Sequence, residues 1–201
     1  VLNLMEGEWG HPGHGKTYMS AVDGTFMGNL PMLNLDEAKR AVRYCAQEFQ
    51  TWSKVSLDQR KQRVVDTLAL LKQHRELIGR LLIWEIGKPY ITAMTDVDRC
   101  ISGVEWYVDQ IDTQMAGRTP LGVISNIASW NYPLSVLVHA MLVQVLAGNS
   151  VIAKTPTDGG LYALTVSMAL ARRCGLPVSL VSGSGGQLSE ALVRNADVDC
   201  L

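Results

Sequence analysis

From Leu121 onward the chain alternates short apolar runs with longer amphipathic ones: "LGVISNIA", "PLSVLVHAMLVQVLAG", "SVIAK", "GLYALTVSMALARRCG", "VSLVS", "GQLSEALVRNA" and "VDCL". The short runs, rich in Val and Ile, predict strands; the longer ones, with apolar residues at helical spacing, predict helices. Strand–helix–strand units of this kind join parallel neighbours, with right-handed crossovers in nearly every case. The predicted fold class is therefore α/β, a doubly wound parallel sheet over residues 121–201.

Two zones precede it. Residues 34–112 predict a helical layer. Asn34 with Glu37, and Ser56 with Gln59, have the spacing of helix-capping pairs. Ala38, Val42, Cys45, Ala46 and Phe49 form one apolar stripe. Val64, Val65, Leu68, Leu71 and Leu82 form a second, in a helix that "GKP" at 87–89 should end. A third helix is expected from about Ala93 to Ile111, with Val97, Ile101, Val104 and Val108 on one face. Residues 1–33 read as an arm of short strands and turns, in which Asp23-Gly24 and Gly28-Asn29 favour hairpin geometry. The arm carries too little apolar sequence for a core of its own.

Composition then excludes several functions. A formal charge of -1 offers no basic footprint for nucleic acid or an anionic membrane. The most apolar window, Leu134 to Ala147, is shorter than the ~20 residues that span a bilayer and contains His139 and Gln144. No signal-peptide pattern opens the sequence. Cys45, Cys100, Cys174 and Cys200 form no CxxC pair and read as reduced, buried thiols, which implies a cytoplasmic location. His11 and His14 in "HPGHG" lack acidic or Cys partners at ligand spacing, so no metal site is expected.

Ligands of doubly wound sheets bind beyond the carboxyl ends of the strands. Three loops should emerge there: "ASWNYP", "KTPTDGG" and "GSGGQ". Gly183, Gly185 and Gly186 open a helix after a strand, where bare amides can receive a phosphate; tight strand-to-helix turns also use glycine for steric reasons alone. Lys154 ends an apolar strand, so its ammonium should project at the ligand edge while its stem stays covered. Lys154 and Thr157 could hold ribose hydroxyls. The amide of Asn131, held on a strand-to-helix turn, can donate to a developing oxyanion; asparagine is also simply favoured in turns. Trp130 and Tyr132 read as packing residues, and Pro133 suits a first helical turn.

The order of the motifs resembles the aldehyde dehydrogenase superfamily: "PLGVISNIASWNYPL", "LAGNSVIAKTP", "GLPVSLVSGSGG" and "DVDCL", preceded by "DEAKRAVRYCAQEFQTWS" and "LLIWEIGKPYITAMTDVDRC". The resemblance covers nearly the whole chain and implies a Rossmann-like sheet binding NAD or NADP. It implies oxidation of a small-molecule aldehyde to a carboxylic acid, usually by a homo-oligomer. Asn131 matches the oxyanion-stabilising asparagine. Ile127, Ala128, Ser129 and Trp130 match the loop beside the nicotinamide. Lys154 matches the lysine on the adenosine ribose, and Gly183, Gly185 and Gly186 match the loop beside the adenine.

The chain departs from the pattern at several points. Ser129 replaces a usual proline, and Ser189 a usual glycine. Thr157 stands where many members carry a glutamate on the ribose; without that charge a 2′-phosphate is not repelled, so NADP should be tolerated or favoured. The connection over 108–120 is shorter than the family's oligomerisation hairpin. None of the cysteines has the context of the catalytic one, and the expected catalytic cysteine and glutamate lie beyond Leu201. The chain therefore reads as the N-terminal, cofactor-binding portion of an enzyme. The alternative is a non-catalytic nucleotide-binding or structural derivative of the family.

Overall fold

The computed structural model describes residues 3–10, 15–127 and 129–201. The arm contains β1 (Asn3–Met5), β2 (Glu8–Gly10), β3 (Gly15–Met19) and β4 (Phe26–Pro31). β1 and β2 form a hairpin through Glu6 and Gly7, both at positive φ, as the twist of a two-residue turn requires. β3 and β4 pair around Gly24, whose φ is 69°. The Asp23-Gly24 turn is thus as expected. Gly28-Asn29 instead lies inside β4, where the missing side chain leaves room for the Tyr162 hydroxyl.

The helical layer comprises α1 (Leu35–Trp52), α2 (Leu57–Gln73), α3 (Arg75–Ile86) and α4 (Tyr90–Gln114). Both expected caps form: Asn34 Oδ1 accepts the Glu37 amide at 2.9 Å, and Ser56 Oγ accepts that of Gln59 at 3.3 Å. The helix expected between Ser56 and Gly87 is two helices that meet at His74. Their apolar halves serve different neighbours: α2 packs on α4 and on the later helices over 139–146 and 161–173, whereas α3 packs chiefly on α4 and on the helix over 161–173. Val65, placed in the buried stripe by spacing, is exposed. Gly87 ends α3 in the left-handed conformation, ahead of the proline credited with that stop.

The remaining elements are β5 (Val123–Ile127), a π-helical turn (Pro133–Val138), α5 (His139–Leu146), β6 (Ser150–Lys154), α6 (Leu161–Arg173), β7 (Val178–Val181) and α7 (Gly185–Leu192). α4 runs through most of the short connection, which leaves only a turn before β5. β6 lies between β5 and β7, parallel to both, and every one of its residues is buried. Strand side chains alternate faces: Val123, Ile152 and Val181 meet Ala38 and Val42 of α1 and Ala191 of α7, while Ile124, Val151, Ala153 and Leu180 meet the helices of the other layer. Apolar covering on both faces is what makes a parallel sheet stable.

Two long-range pairings complete the sheet, the first not legible from local pattern and the second as "VDCL" predicts. β1 pairs antiparallel with β7, Leu4 opposite Leu180, so the arm supplies one edge of the main sheet in the order β2-β1-β7-β6-β5. After α7 the chain returns past β6 and bridges Ile124 in parallel at Cys200. The strand order therefore turns back at β5, giving the doubly wound arrangement. Among the described residues no helix is long and apolar enough to cross a membrane.

Candidate functional site

Register across the parallel strands sets Ile127, Lys154 and Val181 in one row at their carboxyl ends. The loops containing Asn131, Thr157 and Gly183 all leave from this row. The sheet thus gathers onto one edge the three segments that sequence alone could only list.

Lys154 is more deeply placed than expected, with only 7% of its surface exposed. Its Nζ donates to Thr155 O at 2.9 Å, which leaves two further N–H groups for an incoming acceptor. Burial lowers its pKa, and nearby Asp158 opposes that shift. The cover comes from α7: a Cβ added at Gly185 would lie 4.0 Å from Lys154 Cε. Thr155 Oγ1 is buried beside it without a partner among the described residues.

The three glycines of the loop do different work. A Cβ at Gly183 would lie 2.7 Å from Leu188 Cδ1 and 3.3 Å from Leu33 O, so internal packing alone requires glycine there. Gly185 and Gly186 are not crowded in this way; their nearest contacts would lie at 4.0 Å. Ser184 precedes α7 without a side-chain cap, so the first amides of the helix have no local acceptor from it. The steric reading holds for Gly183, and the open backbone lies at Gly185 and Gly186.

Asn131 is exposed, and its Oδ1 accepts the Ser129 hydroxyl; among the described residues its amide hydrogens meet no acceptor. Ile127 and Trp130 are about half exposed at 52% and 48%. Ala128 lies outside the described residues. Gly160, at φ 78°, packs under the turn: a Cβ there would lie 2.9 Å from Pro133 Cβ and 3.9 Å from Trp130 O. This glycine was not foreseen as part of the site, although the "DGG" turn signalled an unusual backbone. Its bare Cα lets the Asn131 turn and the loop after Lys154 touch.

Thr157 is half-buried and donates to Asp158 Oδ2 at 3.4 Å, while Lys16 of β3 stands 3.7 Å from Asp158 Oδ1. Among the described residues no hydrogen bond joins Thr157 to Lys154. Cys45 and Cys100 are fully buried, and burial pushes the Cys45 thiol up to about 12 and the Cys100 thiol higher still. Cys174 and Cys200 are half-buried rather than buried as expected, because each falls at the end of an element. None of the four lies in the three loops; no metal-binding cluster occurs among the described residues, and His11 and His14 lie outside them.

A model of the aldehyde dehydrogenase family matches residues 12–201. The chain belongs to this family. Among curated relatives, the chain is 27% identical to 1-pyrroline-5-carboxylate dehydrogenase 1 of Halalkalibacterium halodurans, a match covering 83% of the chain and 36% of that protein. It is also 27% identical to 3-sulfolactaldehyde dehydrogenase of Pseudomonas putida, covering 94% of the chain and 43% of that protein. The chain thus spans less than half the length of these relatives. Among solved structures, the NADP-dependent glyceraldehyde-3-phosphate dehydrogenase of Bacillus halodurans complexed with NADP superposes at TM-score 0.90 and 22% identity, covering 98% of the chain and 46% of that one. A 1-pyrroline-5-carboxylate dehydrogenase from Thermus with bound NAD gives 0.89 at 21%, covering 98% and 42%. At these identities the structures establish the shared fold.

Sequence reasoning missed the residues that support the site from behind. Glu85, Lys88 and Asp96 come from the helical layer and reach the helices that follow β5 and β6. All three lie within "LLIWEIGKPYITAMTDVDRC", where local spacing marks a helix end and the motif order a family resemblance but neither shows which distant amides the charges reach.

Proposed function

We propose that this chain supplies the dinucleotide site and the oxyanion-holding asparagine of an NAD(P)-dependent aldehyde dehydrogenase that oxidises an aldehyde to a carboxylic acid. The observation that carries the reading is the shared carboxyl edge, where the Asn131 amide, whose hydrogens meet no acceptor among the described residues, stands on the loop that packs against the one following Lys154.

The edge suits a dinucleotide on its own chemistry. Lys154 has unused donors beside the start of α7, and Gly185 and Gly186 leave the backbone open to a flat or phosphorylated group. Lys154 and Thr157 would hold the adenosine ribose, Gly185 and Gly186 would lie beside the adenine, and Ile127, Ser129 and Trp130 would flank the nicotinamide. When bound, the dinucleotide supplies the hydride acceptor. Thr157 brings no charge, and Lys16 offsets that of Asp158, so a 2′-phosphate meets no uncompensated carboxylate there.

Asn131 Nδ2 donates to the aldehyde oxygen as negative charge develops on it, while Ser129 holds the other end of the amide. The attacking thiolate is not Cys45 or Cys100, because both are buried and held protonated. On the family resemblance, the nucleophile and the base that activates water are expected in the part of such enzymes that this chain does not span. Four free thiols suit a reducing compartment, so the cytoplasm is the proposed location.

The test is Asn131→Ala in the intact enzyme. Turnover should fall by roughly 100-fold to 1000-fold, the usual cost of one oxyanion donor, with dinucleotide affinity unchanged. Equal losses in both would overturn the oxyanion role. Dinucleotide binding by a native protein that shows no aldehyde oxidation would favour the non-catalytic alternative.

A further inference from the structure

Behind the Asn131 turn lies a buried ion pair. Lys88 Nζ is 2.8 Å from Asp96 Oδ2, with the Asp96 side chain fully buried and that of Lys88 9% exposed. The other carboxylate oxygen faces the π-helical turn that follows Asn131. Asp96 Oδ1 accepts the Ser135 backbone N–H at 3.0 Å and also the Ser135 hydroxyl. On its other side the Lys88 ammonium stands 4.0 Å from the centre of the Tyr132 ring. Two charges from the α3–α4 corner thus grip the residues one and four places after Asn131.

Apolar packing of Pro133 and Leu134 covers the turn, but no side chain of its own caps it. Tyr132 precedes the π-helical turn without a side-chain cap, and Pro133 has no amide to offer. Asp96 takes the Ser135 amide, which lies in the first turn. A carboxylate at that position satisfies an orphan donor and matches the positive end of the helix. Lys88 compensates the buried charge and, through its contact with the ring face, bears on Tyr132 itself. Burial restricts the pair to this arrangement, because either charge left alone in the interior is costly.

We propose that Lys88 and Asp96 are positioning residues for Asn131: the pair anchors Tyr132 and Ser135 and so sets where the Asn131 amide points, without touching substrate or cofactor. The proposal rests on the oxyanion reading of Asn131. It predicts that the pair matters for turnover only through that amide.

The experiment replaces both charges together, Lys88→Met with Asp96→Asn, so that neither is stranded. In the intact enzyme, exchange of the Ser135 amide should accelerate about tenfold while that of Ala163 in α6 stays unchanged, since only the former loses its carboxylate acceptor. Unchanged Ser135 exchange overturns the proposal. In the intact enzyme the pair variant should lower kcat about tenfold with dinucleotide Kd within about twofold, and the loss should vanish in an Asn131→Ala background, as coupled residues behave. The same loss with and without Asn131 overturns the positioning role. Full turnover of Asn131→Ala alone instead overturns the oxyanion reading, leaving the anchoring itself judged by exchange. If the pair variant does not fold, Ser135→Ala removes the hydroxyl contact only and should give a smaller kcat loss that depends on Asn131 in the same way. No loss there counts against the proposal.

Discussion

Glu85 Oε1 accepts the Tyr162 backbone N–H at 2.7 Å, and its Oε2 accepts that of Ala163 at 3.0 Å. α6 begins after Gly160, which has no side chain to cap it, so a carboxylate from α3 does so across the fold. The arrangement repeats what Asp96 does at Ser135. Both helices that follow the first two parallel strands are thus capped by the helical layer.

Burial raises the Glu85 carboxyl from 4.5 to about 7, against the lowering effect of its amide donors. A carboxyl raised in the folded state adds most stability below its unfolded pKa and loses that contribution as pH rises through the folded value. The loss falls between pH ~4.5 and ~7 and amounts to about 3 kcal/mol. Glu85→Gln should abolish this dependence. Urea unfolding of both proteins at pH 4.5 and 7.5 measures it, and a constant difference between them would contradict the assignment.

Lys154→Met should separate folding from binding. The ammonium is buried beside a single carbonyl acceptor, so an apolar side chain of similar length removes a desolvation cost. The melting temperature is expected to stay level or rise. Dinucleotide affinity should fall about tenfold or more with the lost charge-assisted contacts, as read by quenching of tryptophan fluorescence.

Gly183 and Gly186 should respond in opposite ways. Gly183→Ala forces Leu188 or the backbone at Leu33 to shift, at a stability cost of about 1–3 kcal/mol. At Gly186 an added Cβ comes no closer than 4.0 Å to a neighbour, so Gly186→Val should change the melting temperature little and instead obstruct the dinucleotide. A pair of melting curves and binding titrations distinguishes the two effects.

Thr157→Glu should turn cofactor choice. A carboxylate at this half-buried position can accept from ribose hydroxyls and repel a 2′-phosphate, so the ratio of NADP to NAD affinity should fall by about tenfold or more. Competitive titration of the two dinucleotides gives the ratio directly. No change would place the 2′ position away from Thr157.

Local chemistry determined much of this protein. Helical spacing and the Asn34 and Ser56 caps located the starts of two helices, and the apolar alternation after Leu121 identified the parallel strands and hence the edge where Asn131, Lys154 and Gly185 meet. These features depend on residues close in sequence. What the spacing left open depends on long-range contacts: β1 as a sheet edge, the break at His74, the burial of Lys154 beneath α7, and the capping of two helices by Glu85 and Asp96. A helix shows in sequence the amides it cannot satisfy, but which carboxylate will satisfy them is decided only when distant elements pack.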